Sequence, residues 1–110
     1  MRLLPFLLFV GLILLIVSGK TDAEEPSWNF TTGSHVYTVA ISDDGEYMVA
    51  GSWREDNKTY LFHKNSSAPI WNYTAGSSVI SVDISADGEY IVTGGWDYNV
   101  YLFHKNSNIP

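Results

Sequence analysis

The sequence of 110 residues contains no cysteine. This absence excludes disulfide bonds, thiol catalysis, cysteine metal sites and a lipidated N-terminal cysteine. Small exported domains often rely on disulfides because their hydrophobic cores are small. A domain built from this chain must therefore draw its stability from another source.

Basic side chains are also few. Six Lys and Arg residues stand against twelve Asp and Glu residues, which gives a formal net charge of −6. A surface that binds phosphates needs clustered Lys and Arg, so the composition argues against a nucleic-acid partner. The acidic residues are dispersed along the chain, as is typical of a soluble surface.

No established catalytic pattern is present: the sequence has no Ser-His-Asp order, phosphate loop, HExxH motif or paired catalytic carboxylates. We therefore predict no catalytic residue, metal ligand or cofactor. His63 and His104 recur at equivalent positions, each beside a lysine, and this recurrence favours a structural role over metal binding. The two Asp-Gly pairs lack the D-x-D-x-D-G spacing of a calcium loop, and tight turns explain them.

One long hydrophobic run occurs, from Leu3 to Val17, preceded by Arg2 and followed by Ser-Gly-Lys. A basic start, an apolar run and small residues are the three parts of a secretory signal peptide, with Gly19 or Ala23 as possible cleavage points. The uncharged stretch of 17 residues up to Gly19 also reaches the lower limit for a membrane-spanning helix. The sequence predicts an apolar helix in residues 1–19, either a signal peptide or a signal anchor, and a linker in residues 20–27. The location is then extracytoplasmic, either secreted or membrane-anchored at the cell surface.

The rest of the chain consists of two copies of one sequence repeat. Residues 28–53 reappear as residues 71–96 with 16 of 26 paired positions identical, and both copies run into the heptapeptide YLFHKNS. Self-similarity at a fixed period is typical of folds that stack one supersecondary unit. We take residues 28–70 as the first repeat and residues 71–110 as the second.

Within each repeat, the apolar residues alternate with polar ones. Ile80, Val82 and Ile84 alternate with Ser81, Asp83 and Ser85, which is the period of a β-strand. An Asp-Gly turn, a second strand, a polar hairpin and a third strand ending at His63 or His104 follow. Residues 70–74 form a short fourth strand, whose earlier counterpart is residues 28–31. The predicted fold is all-β: two four-stranded antiparallel blades of an incomplete β-propeller, after the N-terminal apolar helix.

The repeat motifs resemble those of WD-repeat propellers and the related pyrroloquinoline-quinone-type repeats. Gly33-Ser34-His35 is similar to the Gly-His that opens a WD repeat, and Ser-x-Asp-Gly at residues 42–45 and 85–88 is similar to its SPDG turn. Residues 94–103 resemble its G-S-x-D-x-x-V-x-L-W strand pair. The resemblance implies a structural signature at Gly33, His35, Asp44, Gly45, Trp53, Trp71, Gly76, Asp87, Gly88, Trp96 and Asp97.

In the WD family, an Asp, a His, a Ser or Thr and a Trp form a hydrogen-bond network that holds each blade. The first repeat has His35 but Arg54 where the Asp is expected, while the second has Asp97 but Ser78 where the His is expected. Phe62 and Phe103 replace the Trp. The resemblance therefore implies a degenerate or sister propeller family with incomplete networks.

A closed propeller needs about four to eight blades, so two blades are an incomplete ring. The chain stops before the next repeat's outer strand, which favours a fragment of a larger propeller. The alternative is a homo-oligomer of three or four copies, closed head to tail through the residue 28 strand into a ring of about six or eight blades.

Several polar and aromatic residues remain as candidates for binding. The four tryptophans could stack a quinone or a sugar, although packing of sheet against sheet is the stronger interpretation. Asp83, on the innermost strand where the first repeat has Ala40, is a candidate pocket residue. N-glycosylation sequons occur at Asn29, Asn57, Asn65 and Asn72.

The resulting hypothesis is a non-catalytic, extracytoplasmic propeller module that binds a protein or a glycan. The first alternative is a fragment of a quinoprotein-like enzyme, whose cofactor would carry the redox chemistry. The second is a self-assembling, lectin-like propeller. Membrane anchoring through residues 3–19 is compatible with each of them.

Overall fold

The computed structural model describes residues 25–110, all of which lie outside regular helices. The predicted N-terminal helix, the cleavage points and the anchor fall outside the described residues. Seven strands are present: β1 (Val36–Ile41), β2 (Tyr47–Ser52), β3 (Lys58–His63), β4 (Trp71–Thr74), β5 (Val79–Ile84), β6 (Tyr90–Gly95) and β7 (Val100–His104).

The strands form two antiparallel sheets, in the orders β1-β2-β3-β4 and β5-β6-β7. We call the first sheet blade 1 and the second blade 2. The predicted all-β fold of two propeller blades is confirmed, with one difference in strand number: residues 28–31, the predicted counterpart of β4, do not form a strand. Blade 2 has three strands within the described residues, because β4, at the start of the second repeat, pairs with β3 and completes blade 1.

Tight turns link the first two strands of each blade, as the Asp-Gly pairs predict. Gly45 and Gly88 have φ values of 73° and 76°, a region that disfavours any residue with a Cβ atom. Before each glycine, an aspartate accepts a hydrogen bond from a serine hydroxyl: Ser42 to Asp44 at 2.6 Å and Ser85 to Asp87 at 2.8 Å. The same local chemistry therefore forms both turns.

The main core lies between the blades. Val49 and Leu61 on blade 1 are fully buried against blade 2, where Ile91 and Phe103 are also fully buried. Alternation along the strands directs these side chains to the inner faces of the two sheets. This interface between two sheets supplies the burial that a chain without disulfides requires.

The tryptophan that opens each repeat packs on the third strand of that repeat. Trp71 lies 5.0 Å from the ring of Phe103, and its indole N–H donates to the backbone oxygen of Lys105 at 2.8 Å. Trp28 lies 5.3 Å from Phe62 and donates to the oxygen of Lys64 at 2.8 Å. These two tryptophans pack against the sheets, in line with the interpretation favoured for them from the sequence.

Candidate functional site

The most distinctive surface is an aromatic cluster shared by both blades. β2 ends at Ser52 and β6 ends at Gly95, so the residues that follow, Trp53 and Trp96, lie at the same edge of the two sheets. The loop before β1 and the hairpin after β6 add further side chains. We call this surface the tryptophan edge: His35, Tyr37, Trp53, Arg54, Trp96 and Tyr98.

Trp53 is the centre of the cluster. Its ring lies 6.1 Å from that of Trp96, across the boundary between the blades, and 5.8 Å from that of His35. Tyr37 lies 6.0 Å away, and the Arg54 guanidinium carbon is 4.9 Å from the Trp53 ring centre. Each of these distances suits aromatic or cation–π attraction, so the cluster is held by its own contacts.

Much of the cluster remains accessible. Trp96 is 54% exposed and Tyr98, in the adjoining turn, is 98% exposed. Large aromatic side chains and arginine are the residues that dominate binding energy at protein interfaces. The tryptophan edge thus offers aromatic anchors and one cation at the junction of the blades.

The same geometry bears on the quinone interpretation. The Trp53 and Trp96 rings are inclined at 68° to each other, close to an edge-to-face arrangement. A planar cofactor held between two rings needs them roughly parallel. These two tryptophans therefore do not form a stacking slot for a quinone.

A half-buried aspartate supports the tryptophan edge in blade 1. The Asp56 carboxylate accepts hydrogen bonds from the Ser52 hydroxyl at 2.7 Å and from the Tyr60 hydroxyl at 2.6 Å. Ser52 also accepts a hydrogen bond from the Lys58 backbone N–H at 2.9 Å. These bonds tie the end of β2 to the start of β3.

Blade 2 has a corresponding centre at Asp97. Its carboxylate accepts hydrogen bonds from the Tyr101 hydroxyl at 2.6 Å and from the Gly76 backbone N–H at 3.1 Å. The serine is missing because Gly95 replaces Ser52, and a Cβ atom there would lie 2.0 Å from the Ser78 backbone oxygen. Backbone packing therefore excludes a serine at this position of blade 2.

The structure corrects the assignment of Arg54 to the position of Asp97. Asp56 and Asp97 each lie four residues before the tyrosine of YLFHKNS, and each binds that tyrosine. The first hairpin is two residues longer, so counting forward from Trp53 leads to the wrong residue. Counting backward from YLFHKNS would have found Asp56 in the sequence.

The hydrogen bonds shift the pKa values of both partners. The pKa of Asp56 is lowered from 3.8: burial, the largest single influence, raises it, but the bonds from Tyr60 and Ser52 outweigh burial. The bond from Tyr101 is the main cause of the lowered pKa of Asp97. Burial first, and the Asp56 bond second, raise the pKa of Tyr60 to about 12. At neutral pH each centre is a carboxylate that accepts from a neutral phenol.

Two signature glycines make room for these carboxylates. A Cβ atom on Gly33 would lie 2.6 Å from Asp56 Oδ1, and one on Gly76 would lie 3.2 Å from the Asp97 Cβ. His35, the remaining signature residue in this region, contacts the Trp53 ring. The structure thus brings Gly33 and His35 to the tryptophan edge, while Asp44, Gly45, Asp87 and Gly88 lie in the turns at the opposite edge of the sheets.

The recurring histidines also lie at that opposite edge, each in an ion-pair cluster. His63 Nε2 and Lys64 Nζ both lie 3.1 Å from the Glu46 carboxylate. In blade 2, His104 and Lys105 approach Glu89 at 2.9 and 3.1 Å. Across residues 25–110, no three His, Asp or Glu side chains group in a way that suits a metal ion.

The sequons differ in accessibility. Asn29, Asn65 and Asn72 are exposed, whereas Asn57 is half-buried in the hairpin of blade 1 with a positive φ of 55°. Asp83, the other polar candidate, is exposed on the outer side of blade 2, in a cavity of about 240 Å³ that Val92 and Leu102 also line. The structure places Asp83 far along the sheet from the tryptophan edge, because it lies near the end of β5.

Comparison with known families gives a clear result. The family model of the WD domain, G-beta repeat, matches the chain twice, over residues 25–63 and 67–104. These matches cover more than half of the chain, and each overlaps one of the two repeats. No significant match was found among curated proteins. In the part of the chain described by the structure, no helix has the length and apolar character needed to span a membrane.

Proposed function

Because the chain belongs to the WD40 repeat family, whose propellers are protein-interaction modules, we propose that it binds a protein partner outside the cytosol through the tryptophan edge. One observation carries the choice of surface. Trp53 and Trp96 come from different blades, and they meet in a cluster whose outer members remain exposed. The blades themselves act as part of a closed propeller.

The partner's chemistry follows from the side chains at this edge. Exposed aromatic rings bury a large apolar area at little entropic cost, and Arg54 adds a cation stacked on Trp53. With a net charge of −6 on the whole chain, Arg54 is a locally basic point in an acidic surface. The matching partner surface is apolar or aromatic, with a carboxylate opposite Arg54.

The extracytoplasmic location rests on the apolar run that follows Arg2. Expression of the full chain with a C-terminal epitope tag in a glycosylating eukaryotic cell tests it. We expect a glycosidase-sensitive mass shift from the exposed sequons, which Asn→Gln substitution at Asn29, Asn65 and Asn72 abolishes. Retention of the unglycosylated chain in the cytosolic fraction, with its tag protected from protease in intact cells, would contradict the location.

Site-specific photo-crosslinking in the native host tests the binding surface. A photoreactive amino acid at position 96 should form a discrete adduct with a protein, and the same amino acid at Asn106 should not. Asn106 is an exposed residue at the opposite edge, so it serves as the matched control. Adducts of equal yield at both positions, or adducts only with glycan-bearing species that deglycosylation removes, would rule out a protein-binding tryptophan edge.

A further inference from the structure

The two blades present exposed apolar surfaces on opposite sides. The leading face is the side of blade 1 that points away from blade 2, with Phe30, Val36, Val39 and Ile41 exposed. The trailing face is the side of blade 2 that points away from blade 1, with Tyr90, Val92, Val100 and Leu102 exposed. We propose that the leading face of one copy docks on the trailing face of the next, and that three or four copies close a ring of about six or eight blades.

The trailing face repeats the blade 1 side of the interface already formed inside the chain. Val92 and Leu102 occupy the repeat positions of Val49 and Leu61. Val49 and Leu61 are fully buried, whereas Val92 is 39% exposed and Leu102 is 59% exposed. The trailing face therefore carries the apolar residues of a blade-to-blade contact without the opposing blade.

The leading face repeats the other side of that interface. Val39 and Ile41 occupy the repeat positions of Val82 and Ile84, which pack into the core between the blades. Val39 is 69% exposed, and together with Trp28 it lines an apolar cavity of about 350 Å³. Each outer face is thus one half of an interface that the chain already makes once.

Gly94 supports the same docking, because no contact within a single copy requires a glycine at this position. A Cβ atom on Gly51 would lie 2.6 Å from a methyl group of Val79, so close approach of blade 2 requires glycine there. Gly94 is its counterpart, but around Gly94 the nearest atom is the Asn99 backbone oxygen at 3.9 Å, and its φ is not positive. In the proposed pair, Val36 of the next copy, which corresponds to Val79, lies over Gly94.

The turns and third strands also make a contact between blades 1 and 2, and the equivalent groups on the two outer faces lie open. The Tyr47 ring packs on Gly88, where an added Cβ would lie 2.5 Å away, and beneath the Lys105 ammonium at 4.8 Å. The counterparts Tyr90 and Gly45 lie open, since Tyr90 is 54% exposed and no atom lies within 4 Å of a Cβ on Gly45. Docking brings Tyr90 of one copy onto Gly45 and Lys64 of the next.

A strand edge and a strand-like segment are also available. The outer edge of β3 pairs with residues 71–74, of sequence WNYT, while β7 pairs only with β6 among the described residues. Residues 28–31, of sequence WNFT, pair with no strand of the described chain. In the assembly, WNFT of one copy is the fourth strand of the other copy's blade 2, which protects the open edge of β7.

Because the leading and trailing faces are complementary, the partner expected on each of them is a second copy of the chain. Both halves of the interface, both glycine contacts and both strand elements are present on one chain, so identical copies satisfy all of them at once. The contact is heterologous, because different faces meet, and such contacts generate rings when the rotation closes. An unrelated partner would have to reproduce the same side chains at the same spacing.

Engineered disulfides test the contact, because the natural chain has no cysteine. The built Cβ of Gly51 lies 3.1 Å from the Cβ of Val79, so cysteines at the equivalent positions 94 and 36 of neighbouring copies are within bonding reach. We expect the full-length G94C/V36C chain in mild detergent to form, on oxidation, a ladder on non-reducing gels that stops at three or four copies. Neither single-cysteine variant should form it. A monomer band only, or dimers of equal yield from the single-cysteine variants, would overturn the proposal.

Complementary variants test the two faces separately. Leu102→Asp blocks the trailing face and Val39→Asp blocks the leading face. Asn106→Asp, in the exposed turn after β7, lies outside both faces and outside the tryptophan edge, and it serves as the control. By native mass spectrometry in detergent, we expect each face variant alone to be monomeric, their mixture to form a 1:1 dimer and nothing larger, and the control to keep the size of the natural chain. The mixture keeps the test valid if a single variant is poorly folded. Unchanged size of both face variants, or a mixture without dimers, would refute head-to-tail docking.

Discussion

Blades 1 and 2 have nearly the same sequence and different burial. Leu61 and Leu102 lie in the same YLFHKNS heptapeptide, yet Leu61 is fully buried and Leu102 is 59% exposed. The difference arises from the neighbours, since blade 1 has blade 2 on its inner face and blade 2 has no described blade on its outer face. In a repeat fold, the contribution of a residue to the free energy of unfolding therefore depends on the position of its repeat in the stack as much as on the residue type.

The largest contrast is expected between Leu61→Ala and Leu102→Ala. The first variant removes a fully buried side chain from the core between the blades, which should lower the free energy of unfolding by about 2–5 kcal/mol. The second removes a side chain that is largely exposed in a single copy, and the change should stay within about 0.5 kcal/mol. Urea denaturation at concentrations where the chain is monomeric measures both values. Equal losses would show that the two heptapeptides have the same environment.

A smaller contrast is expected between the two aspartate centres. The lowered pKa of Asp56 means that its ionised form stabilises the fold above about pH 4, and that this stabilisation is lost as the pH falls through the folded-state pKa. Asp56→Asn should therefore lower the free energy of unfolding by about 1–2 kcal/mol at pH 7 and by less at about pH 3, below the unfolded-state pKa of 3.8, since bonds to a charged acceptor are stronger. Asp97→Asn is the matched variant and should have a smaller effect, because blade 2 lacks the serine bond. Denaturation at both pH values would contradict this if the loss were independent of pH.

The smallest effect is expected at Asp83, a charged residue on the trailing face whose equivalent in blade 1 is apolar. Asp83 lies exposed on the trailing face, where the equivalent residue of blade 1 is the partly buried Ala40. Docking of a second copy removes water from this carboxylate, which opposes association. Asp83→Ala should lower the concentration for half-assembly by up to about tenfold, or about 1.4 kcal/mol, as measured by light scattering over a dilution series. An increase in that concentration would mean that Asp83 gains a partner in the assembly.

The sequence predicted the strands well because alternation and Asp-Gly turns are local signals. The strands end within two residues of the predicted positions, and both turn glycines have positive φ values. The path of β4 into blade 1 required knowledge of which strands pair across repeats, although the short fourth strand itself was predicted. Local patterns define elements, and the pairing of elements depends on distant partners.

The candidate site was less predictable, because the two hairpins differ in length and because the site joins residues that are far apart in the sequence. Asp56 was missed because the longer hairpin shifts it by two residues relative to Asp97. The meeting of Trp53 with Trp96 depends on how one blade stacks on the other, and no spacing within one repeat encodes that angle. The roles of the exposed faces depend on differences in burial between equivalent positions of the two blades, and the sequence alone does not encode these differences.

The offset between repeats and blades also has a consequence for synthesis on the ribosome. Blade 1 is completed by β4, which ends at Thr74 in the second repeat. The nascent chain must therefore extend past the first repeat to Thr74 before the outer edge of β3 is protected. During translation, blade 1 passes through a three-stranded stage in which the outer edge of β3 is unpaired. This edge is the segment of blade 1 that most needs protection by a chaperone.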